Sequence, residues 1–392
     1  MKARLKKFFT PIFLTVFILA SFGLGIYFGK LQCKICPPEE IDFSLFWEAW
    51  QKLQGKYVDE EKFDVQKMIY GAISGMVKSL EDPYTVFLNP EDTRRFIEDV
   101  KGTFEGVGME IGIRKGQLQV IAPLEGTPAQ KAGLRAGDKI IKINDTLTAD
   151  LTIDEAVNLI RGPKDTKVTL TIYREDWETT KEIEIVRAVI EVPSLKWELK
   201  ENIVHLQLYQ FSEKATVDFM VAAIEILESP AQKIILDLRN NPGGYLEVAQ
   251  DIAGWFLERG EIVAIEDFGG EKAQKVYKAQ GPARLVGYPM VILINKGSAS
   301  GSEILAGALR DNRDILLIGE ASFGKGSVQE LEKLKEGSSL KITVAKWLTP
   351  KGELITDVGL KPDIEIEITE EDYDEERDPQ LDKAIEVIKT LE

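Results

Sequence analysis

Gly297-Ser-Ala-Ser-Gly-Ser-Glu303 places three hydroxyls, Ser298, Ser300 and Ser302, in a turn of small residues. The apolar run Met290 to Ile294 leads into it, and Ile304, Leu305, Ala308 and Leu309 follow at helical spacing. A strand that turns tightly into a helix start holds a serine hydroxyl at an exposed corner. There the unpaired amides of the helix N-terminus face whatever negative charge develops. Such a serine is a nucleophile only when a base takes its proton. The chain has one histidine, His205, and it lies in Asn202 to Gln210, which alternates like a strand. For a hydrolase that turns attention to lysine, and Lys325 in Ser322-Phe-Gly-Lys-Gly-Ser327 is the candidate base. A lysine serves when its pKa falls from about 10.4 toward about 7–8, roughly 4 kcal/mol, most readily by desolvation. Lys325 is therefore expected to be buried.

The elements that must position these residues belong to an α/β layered core. Lys233 to Leu238, Ile262 to Ile265, Val291 to Ile294 and Ile315 to Ile318 read as strands, alternating with helices at Leu246 to Glu258 and Ser302 to Arg310. Lys341 to Trp347 and Leu354-Ile355 flank Pro350-Lys-Gly352 as a hairpin, and Leu381 to Leu391 closes the chain as a helix. Upstream, residues 41–98 carry helical patterns rich in aromatics, Phe43, Phe46, Trp47 and Trp50 among them. That region has two uses, pairing two copies as a homodimer or packing on its own core. Between the two, Gly102 to Arg187 has short strands, Gly-rich turns and one helix at Ile153 to Ile160. The expected organisation is residues 1–30 n-region and membrane segment, 31–101 helical region, 102–188 inserted unit, 189–369 catalytic core and 370–392 acidic tail and helix.

A chain of 392 residues with 44% apolar content is long enough for two cores. The net charge of −16 argues against nucleic acid as a partner. Lys2, Arg4, Lys6 and Lys7 precede an uncharged run from Phe8 to Phe28. About 20 apolar residues span a bilayer, whereas a cleaved signal core is about 7–15. The expectation is a single-pass membrane anchor with an extracytoplasmic body, with a cleaved secretory signal as the alternative. Cys33 and Cys36 follow the run with no second ligand pair, which leaves a local or intermolecular disulfide. No metal or cofactor is implied.

In the inserted unit, Phe104-Glu-Gly-Val-Gly-Met-Glu-Ile-Gly112 sets Gly106 and Gly108 just before a strand, a turn able to aim backbone amides at a carboxylate. Gly126-Thr-Pro-Ala129, Ala132-Gly-Leu-Arg-Ala-Gly-Asp138 and Lys139-Ile-Ile-Lys-Ile143 complete an ordered series. Together these resemble a PDZ domain, in the version found inside bacterial carboxyl-terminal processing proteases. The resemblance makes Gly106, Val107, Gly108 and Met109 the peptide-binding turn. It extends over nearly everything from Trp47 onward, including Asp82-Pro-Tyr-Thr85 and Val358-Gly-Leu-Lys-Pro-Asp363.

That resemblance implies a serine protease with a Ser/Lys dyad. It selects Ser300, three residues before Glu303, as nucleophile, Lys325 as base, and Gln329 as the residue positioning the lysine. Leu238-Arg-Asn-Asn-Pro-Gly-Gly244 becomes the oxyanion loop, with Gly244 and Gly301 as donors and Gly243 as the second choice. Arg161 is implied as a relay between peptide binding and the core. This sequence departs from the family at Gly301, where alanine is usual, and at Asp165, where glycine is common. The residues themselves suggest plainer roles for Ser298 and Ser302 as turn hydroxyls or caps, for Glu303 as a first-turn acid, and for Asp237 and His205 as structural. Gly319-Glu-Ala-Ser-Phe-Gly-Lys325 imitates a phosphate loop, but Gly326 replaces the magnesium-binding hydroxyl. The expected activity is endoproteolysis of envelope proteins near free C-termini. The alternative is a non-catalytic PDZ scaffold that binds such ends.

Overall fold

The computed structural model describes residues 15, 17–24 and 41–391, apart from positions 115, 125, 175, 176, 271, 357, 370, 373, 374 and 376. Residues 1–69 and 70–392 form two compact units. Among the described residues no helix is long and apolar enough to cross a membrane. The anchor expected over Phe8 to Phe28 lies mostly outside the described residues, as do Cys33 and Cys36. The first unit carries α1 (Ser44–Lys56) and the start of α2 (Val65–Lys78). Within it the Phe46 and Trp47 rings stack edge-on at 5.1 Å and Trp50 meets Phe63 at 5.9 Å.

In the larger unit, β1 (Val86–Leu88) leads into α3 (Pro90–Lys101). Asn89 caps that helix, accepting from the Glu91 and Asp92 amides, with proline at its first position. Next, β2 (Thr103–Gly106) opens the inserted unit. Strands β3 (Met109–Arg114), β4 (Gln117–Pro123), β5 (Lys139–Ile143), β6 (Thr146–Leu147), β7 (Lys167–Tyr173) and β8 (Lys181–Val186) build its sheet, and β9 (Ala188–Glu191) closes the unit by pairing back onto β2. The order β3-β4-β5-β7-β8 leaves β3 at an edge. Period-two alternation buries Val168, Leu170 and Ile172 of β7 completely. The short α4 (Pro128–Lys131) and α5 (Ile153–Ile160) cover the sheet, and Thr152 and Glu155 form a capping box at the start of α5. Asp165 adopts φ 66°, the left-handed conformation that makes glycine common at that place.

Past Pro193 come β10 (Leu195–Lys200), β11 (Ile203–Leu208), α6 (Ala215–Glu228), β12 (Lys233–Asp237), α7 (Leu246–Phe256), β13 (Ile262–Asp267), β14 (Lys275–Lys278), β15 (Met290–Ile294), α8 (Gly301–Arg313), β16 (Leu316–Gly319), β17 (Ser327–Lys333), β18 (Ser339–Leu348), β19 (Ile364–Glu365) and α9 (Pro379–Thr390). The central sheet runs β10-β11-β12-β15-β16-β19, parallel except at β10–β11. A parallel sheet needs both faces covered, which explains strands as uniformly apolar as β15. Ile234, Leu236 and Ile292 face the main core with α6, α7 and α8, while Ile235, Val291 and Leu293 face Ala384 and Ile388 of α9. The carboxyl ends of β12 and β15 therefore sit side by side, where α/β sheets hold their sites. A second sheet, β1-β18-β13-β14 with β17 on β18, carries the Lys325 segment. The expected hairpin around Gly352 is reduced to one bridge, Leu348 to Leu354, and the long partner of β18 is β17.

Candidate active site

The serine turn follows β15 and is tied to the loop after β12. Ser298 donates its hydroxyl to the Leu238 carbonyl (2.8 Å) and Ser302 donates to that of Asn241 (2.9 Å), and neither serine is exposed. Both have the plain turn role their sequence context suggested. Ser300 is half-buried and sits at φ 52°, ψ −111°, a strained geometry for a residue with a side chain. Such strain is what a strand-to-helix turn presenting a hydroxyl requires.

Glu303 has a larger part than a helix-start acid. Its side chain is 1% exposed, and each carboxylate oxygen accepts two hydrogen bonds. One takes the Ser300 N–H (2.8 Å) and the Lys325 N–H (3.0 Å), the other the Ser322 hydroxyl (2.6 Å) and the Gly324 N–H (2.7 Å). A single buried carboxylate thus joins the serine turn to the lysine loop. Burial pushes Glu303 above the usual carboxylate range, opposed by the donors around it. Lys325 is half-buried; burial pulls its ammonium below the ordinary lysine value, while the Glu303 charge works against that shift. Lys325 leads into strand β17, not into a helix, so the phosphate-loop resemblance ends there.

Gln329 lies at a bulge of β17 and donates its amide to the Tyr84 carbonyl (3.2 Å) in the Asp82-Pro-Tyr-Thr85 turn. Thr85 in turn accepts from the Thr343 N–H of β18 (3.0 Å). These two contacts dock that turn on the strands beside the lysine.

The glycine loop is packed against the serine turn at backbone distance. Gly243 has φ 96°, and a Cβ there would lie 2.7 Å from the Ala299 carbonyl oxygen and 2.8 Å from Ser300 Cβ. Gly244 has φ 145°, and its Cβ would lie 2.2 Å from the Phe211 carbonyl oxygen. The Gly243 N–H donates to Asn241 Oδ1 (2.9 Å). Among the hydrogen bonds of the described residues, the Gly244 and Gly301 N–H groups have no partner. At Gly301 a Cβ would come 3.1 Å from the Phe211 ring, which favours the absence of the alanine usual there. Asn241 is fully buried and was not singled out in the sequence. It donates to the Leu208 carbonyl (2.7 Å), and its own carbonyl also takes the Ala299 N–H (3.0 Å). The Asn-Asn before Pro-Gly-Gly was the available signal, since asparagines in turns bond their own backbone.

The PDZ-like unit contributes a cavity of about 480 Å³. Val107, Gly108, Met109 and Ile111 line it from the β3 side, Val157, Ile160 and Arg161 from α5, and Val192, Pro193 and Tyr209 from the core. Gly108 has φ 78°, and a Cβ there would lie 2.5 Å from Thr127 Cβ. Gly106 ends β2, ahead of this turn. Arg161 donates to Asp99 of α3 (2.6 Å) and lies over the Phe104 ring at 4.6 Å. His205 sits 3.0 Å from buried Asp237, as structural strand residues do.

The pattern of Peptidase family S41 matches residues 202–366, that of a PDZ domain residues 119–174, and that of the activating protease CtpB N-terminal domain residues 38–92. The carboxy-terminal processing protease CtpA of Bacillus subtilis is 37% identical over 373 residues, covering 94% of this chain and 78% of that protein. A carboxy-terminal-processing protease of Bartonella bacilliformis is 40% identical, covering 82% and 74%. Among solved structures, a photosystem II D1 C-terminal processing protease is 28% identical with TM-score 0.54, covering 82% of this chain and 92% of that one. A putative S41 protease of Bacteroides fragilis, 15% identical with TM-score 0.58 over 91% of this chain and 99% of that one, shares the fold. Fold and relatives together define a serine peptidase with a PDZ domain, which displaces the non-catalytic scaffold. The chain belongs to peptidase family S41, among the carboxy-terminal processing proteases.

Proposed function

We propose that this enzyme is an endopeptidase that cuts proteins near their free C-termini, with Ser300 as nucleophile and Lys325 as general base. The observation that carries the reading is the Glu303 carboxylate, which holds the backbones of both residues. The PDZ domain receives the substrate's tail as an added strand on the open edge of β3, its carboxylate at the Gly106 to Met109 amides and its apolar side chains in the cavity. The segment upstream of that tail enters the core. Ser300 Oγ attacks the scissile carbonyl carbon as its proton passes to neutral Lys325 Nζ. The oxyanion lies between the Gly244 and Gly301 amides, whose N–H groups are otherwise uncommitted among the described residues. Lys325 then protonates the leaving amine, the C–N bond breaks, and the C-terminal fragment departs. A water that gives its proton to Lys325 attacks the Ser300 ester, and Lys325 returns that proton to Ser300 Oγ as the C–O bond breaks and the new C-terminus is freed. Desolvation of Lys325 supports its neutral form.

Gln329 holds the Asp82 to Thr85 turn against β17 and so fixes the lysine's approach. Arg161, bonded to Asp99, relays tail binding to α3. The segment Phe8 to Phe28 anchors the enzyme, with the catalytic body outside the cytoplasm, and the aromatic helical region pairs two copies. Cleavage of a peptide with an apolar C-terminus tests the chemistry. Ser300→Ala and Lys325→Ala should each abolish cleavage and leave tail binding intact; turnover by either variant refutes the dyad. Alkaline extraction of membranes and mass measurement of the purified chain test the anchor and the pairing, and a released or monomeric protein refutes each in turn.

A further inference from the structure

The peptidase family match ends at residue 366, yet α9 beyond it covers a whole face of the central sheet. We propose that Asp378, at the head of this helix, is a positioning residue of the active site: its carboxylate locks Arg239 and thereby holds the Asn240 to Gly244 loop in place for the oxyanion. Arg239 lies two residues past the end of β12 and directly ahead of that loop. Its Nε and Nη2 donate to Asp237 (2.9 and 2.7 Å), its Nη1 and Nη2 to the two oxygens of Asp378 (2.8 Å each), and Nη1 again to Gln380 Oε1 (3.1 Å). All five guanidinium N–H groups are then engaged, in a side chain only 11% exposed. Gln380 is fully buried and donates onward to the Ile366 carbonyl (2.7 Å).

From Arg239 the contacts run directly to the chemistry. The Asn240 N–H donates to Asn295 Oδ1 (2.9 Å), and the Asn241 carbonyl holds the Ala299 N–H and the Ser302 hydroxyl on either side of Ser300. The far end of α9 is fixed too, because Lys233 at the start of β12 donates to the carbonyls of Ile388 (3.0 Å) and Leu391. The helix is therefore a splint along β12, pinned at both ends of the strand that delivers the loop. Asp378 also accepts the Leu381 N–H (2.9 Å), so one carboxylate caps the helix and locks the arginine.

This inference rests on the Ser300 reading, and the test separates the two. Asparagine caps helices as well as aspartate does, so Asp378→Asn in the full chain keeps the cap and removes the charge that pairs with Arg239. In the tail-peptide cleavage assay its kcat should fall at least tenfold with KM within twofold of wild type, and Asp378→Glu should recover part of the loss. Asp382→Asn, an exposed acid in the same helix, should behave as wild type. A wild-type kcat for Asp378→Asn, or a loss that appears in KM and tail affinity alone, overturns the proposal. If Asp378→Asn fails to fold, Gln380→Ala, which leaves the cap intact, decides by the same split, and an unchanged kcat overturns it. Activity remaining in Ser300→Ala would instead refute the parent reading, whatever Asp378→Asn does.

Discussion

Gly243→Ala is the sharpest test of how the site is held. The added Cβ would lie 2.7 Å from the Ala299 oxygen and 2.8 Å from both Gly301 N and Ser300 Cβ, where ordinary contact begins at 3.4 Å. The glycine loop and the serine turn must therefore separate by about 0.7 Å, a shift of the size that costs a catalytic geometry about a hundredfold. Two energetic terms enter. An alanine at φ 96° carries strain of about 1–3 kcal/mol, and overpacking adds about 1–3 kcal/mol more. Gly260→Ala isolates the first term, because Gly260 has φ 99° and nothing within 4 Å of its Cβ position. Both variants should lose stability through strain, while only Gly243→Ala should lose kcat, by about a hundredfold. Tail-peptide affinity should stay at the wild-type value in each. The assay pairs thermal melting with steady-state cleavage and titration of a labelled tail peptide. A folded Gly243→Ala enzyme retaining half of wild-type kcat would show that the close approach of loop and turn does not set the oxyanion geometry.

Three further outcomes follow from the same geometry. Activity should be lost as pH falls through the pKa of Lys325, because the base works only when neutral, and the acid limb should lie below the ordinary lysine value of about 10.4; a limb at or above that value refutes desolvation as the activating force. Glu303→Gln removes the charge that keeps Lys325 protonated, so a pH–rate profile should show the limb moving to lower pH while maximal kcat falls through lost hydrogen bonds; a limb that moves upward contradicts the assigned electrostatics. Gly108→Ala, whose Cβ would meet Thr127 at 2.5 Å, should weaken tail-peptide binding at least tenfold while a serine-directed acylating probe still labels Ser300 at the wild-type rate; equal loss of labelling would place the turn in the chemistry and not in docking.

The parallel core was legible because its strands are buried on both faces and so are apolar throughout, as Met290 to Ile294 is. The helices at Leu246 and Ser302 were legible by period. Strand β17 was not, since Ser327-Val-Gln-Glu-Leu-Glu-Lys333 is mostly polar and lies on a partly solvated sheet where its partner β18 supplies the apolar side. Helix α6 escaped for the opposite reason: Phe219, Ala222, Ala223 and Ile226 are buried, but Val217, Met220, Val221 and Ile224 are exposed, which blurs the helical period. At the site, Ser300 and Lys325 stood out by motif, whereas the parts of Glu303, Asn241 and Asp378 depend on contacts between segments far apart in sequence. Asp378 lies 139 residues from Arg239, inside an acidic run whose plain reading is a solvated tail.

That distribution follows from what the proposed lysine base demands. Lys325 must be dry to lose its proton, yet the acid that fixes its loop carries a charge that favours keeping it. The conflict is softened because both Glu303 oxygens are already occupied by donors from Ser300, Ser322, Gly324 and Lys325 itself, none of them the ammonium. A carboxylate so engaged acts on Lys325 Nζ through space and not through a hydrogen bond. The joint can then be rigid without being a strong proton trap, which lets a buried acid sit beside a lysine whose ammonium is held below its ordinary value. The glycines at 243 and 244 serve the same joint: with positive φ and no room for a Cβ, loop and turn meet at backbone distance, so the donors the proposed oxyanion would need come from amides and not from side chains.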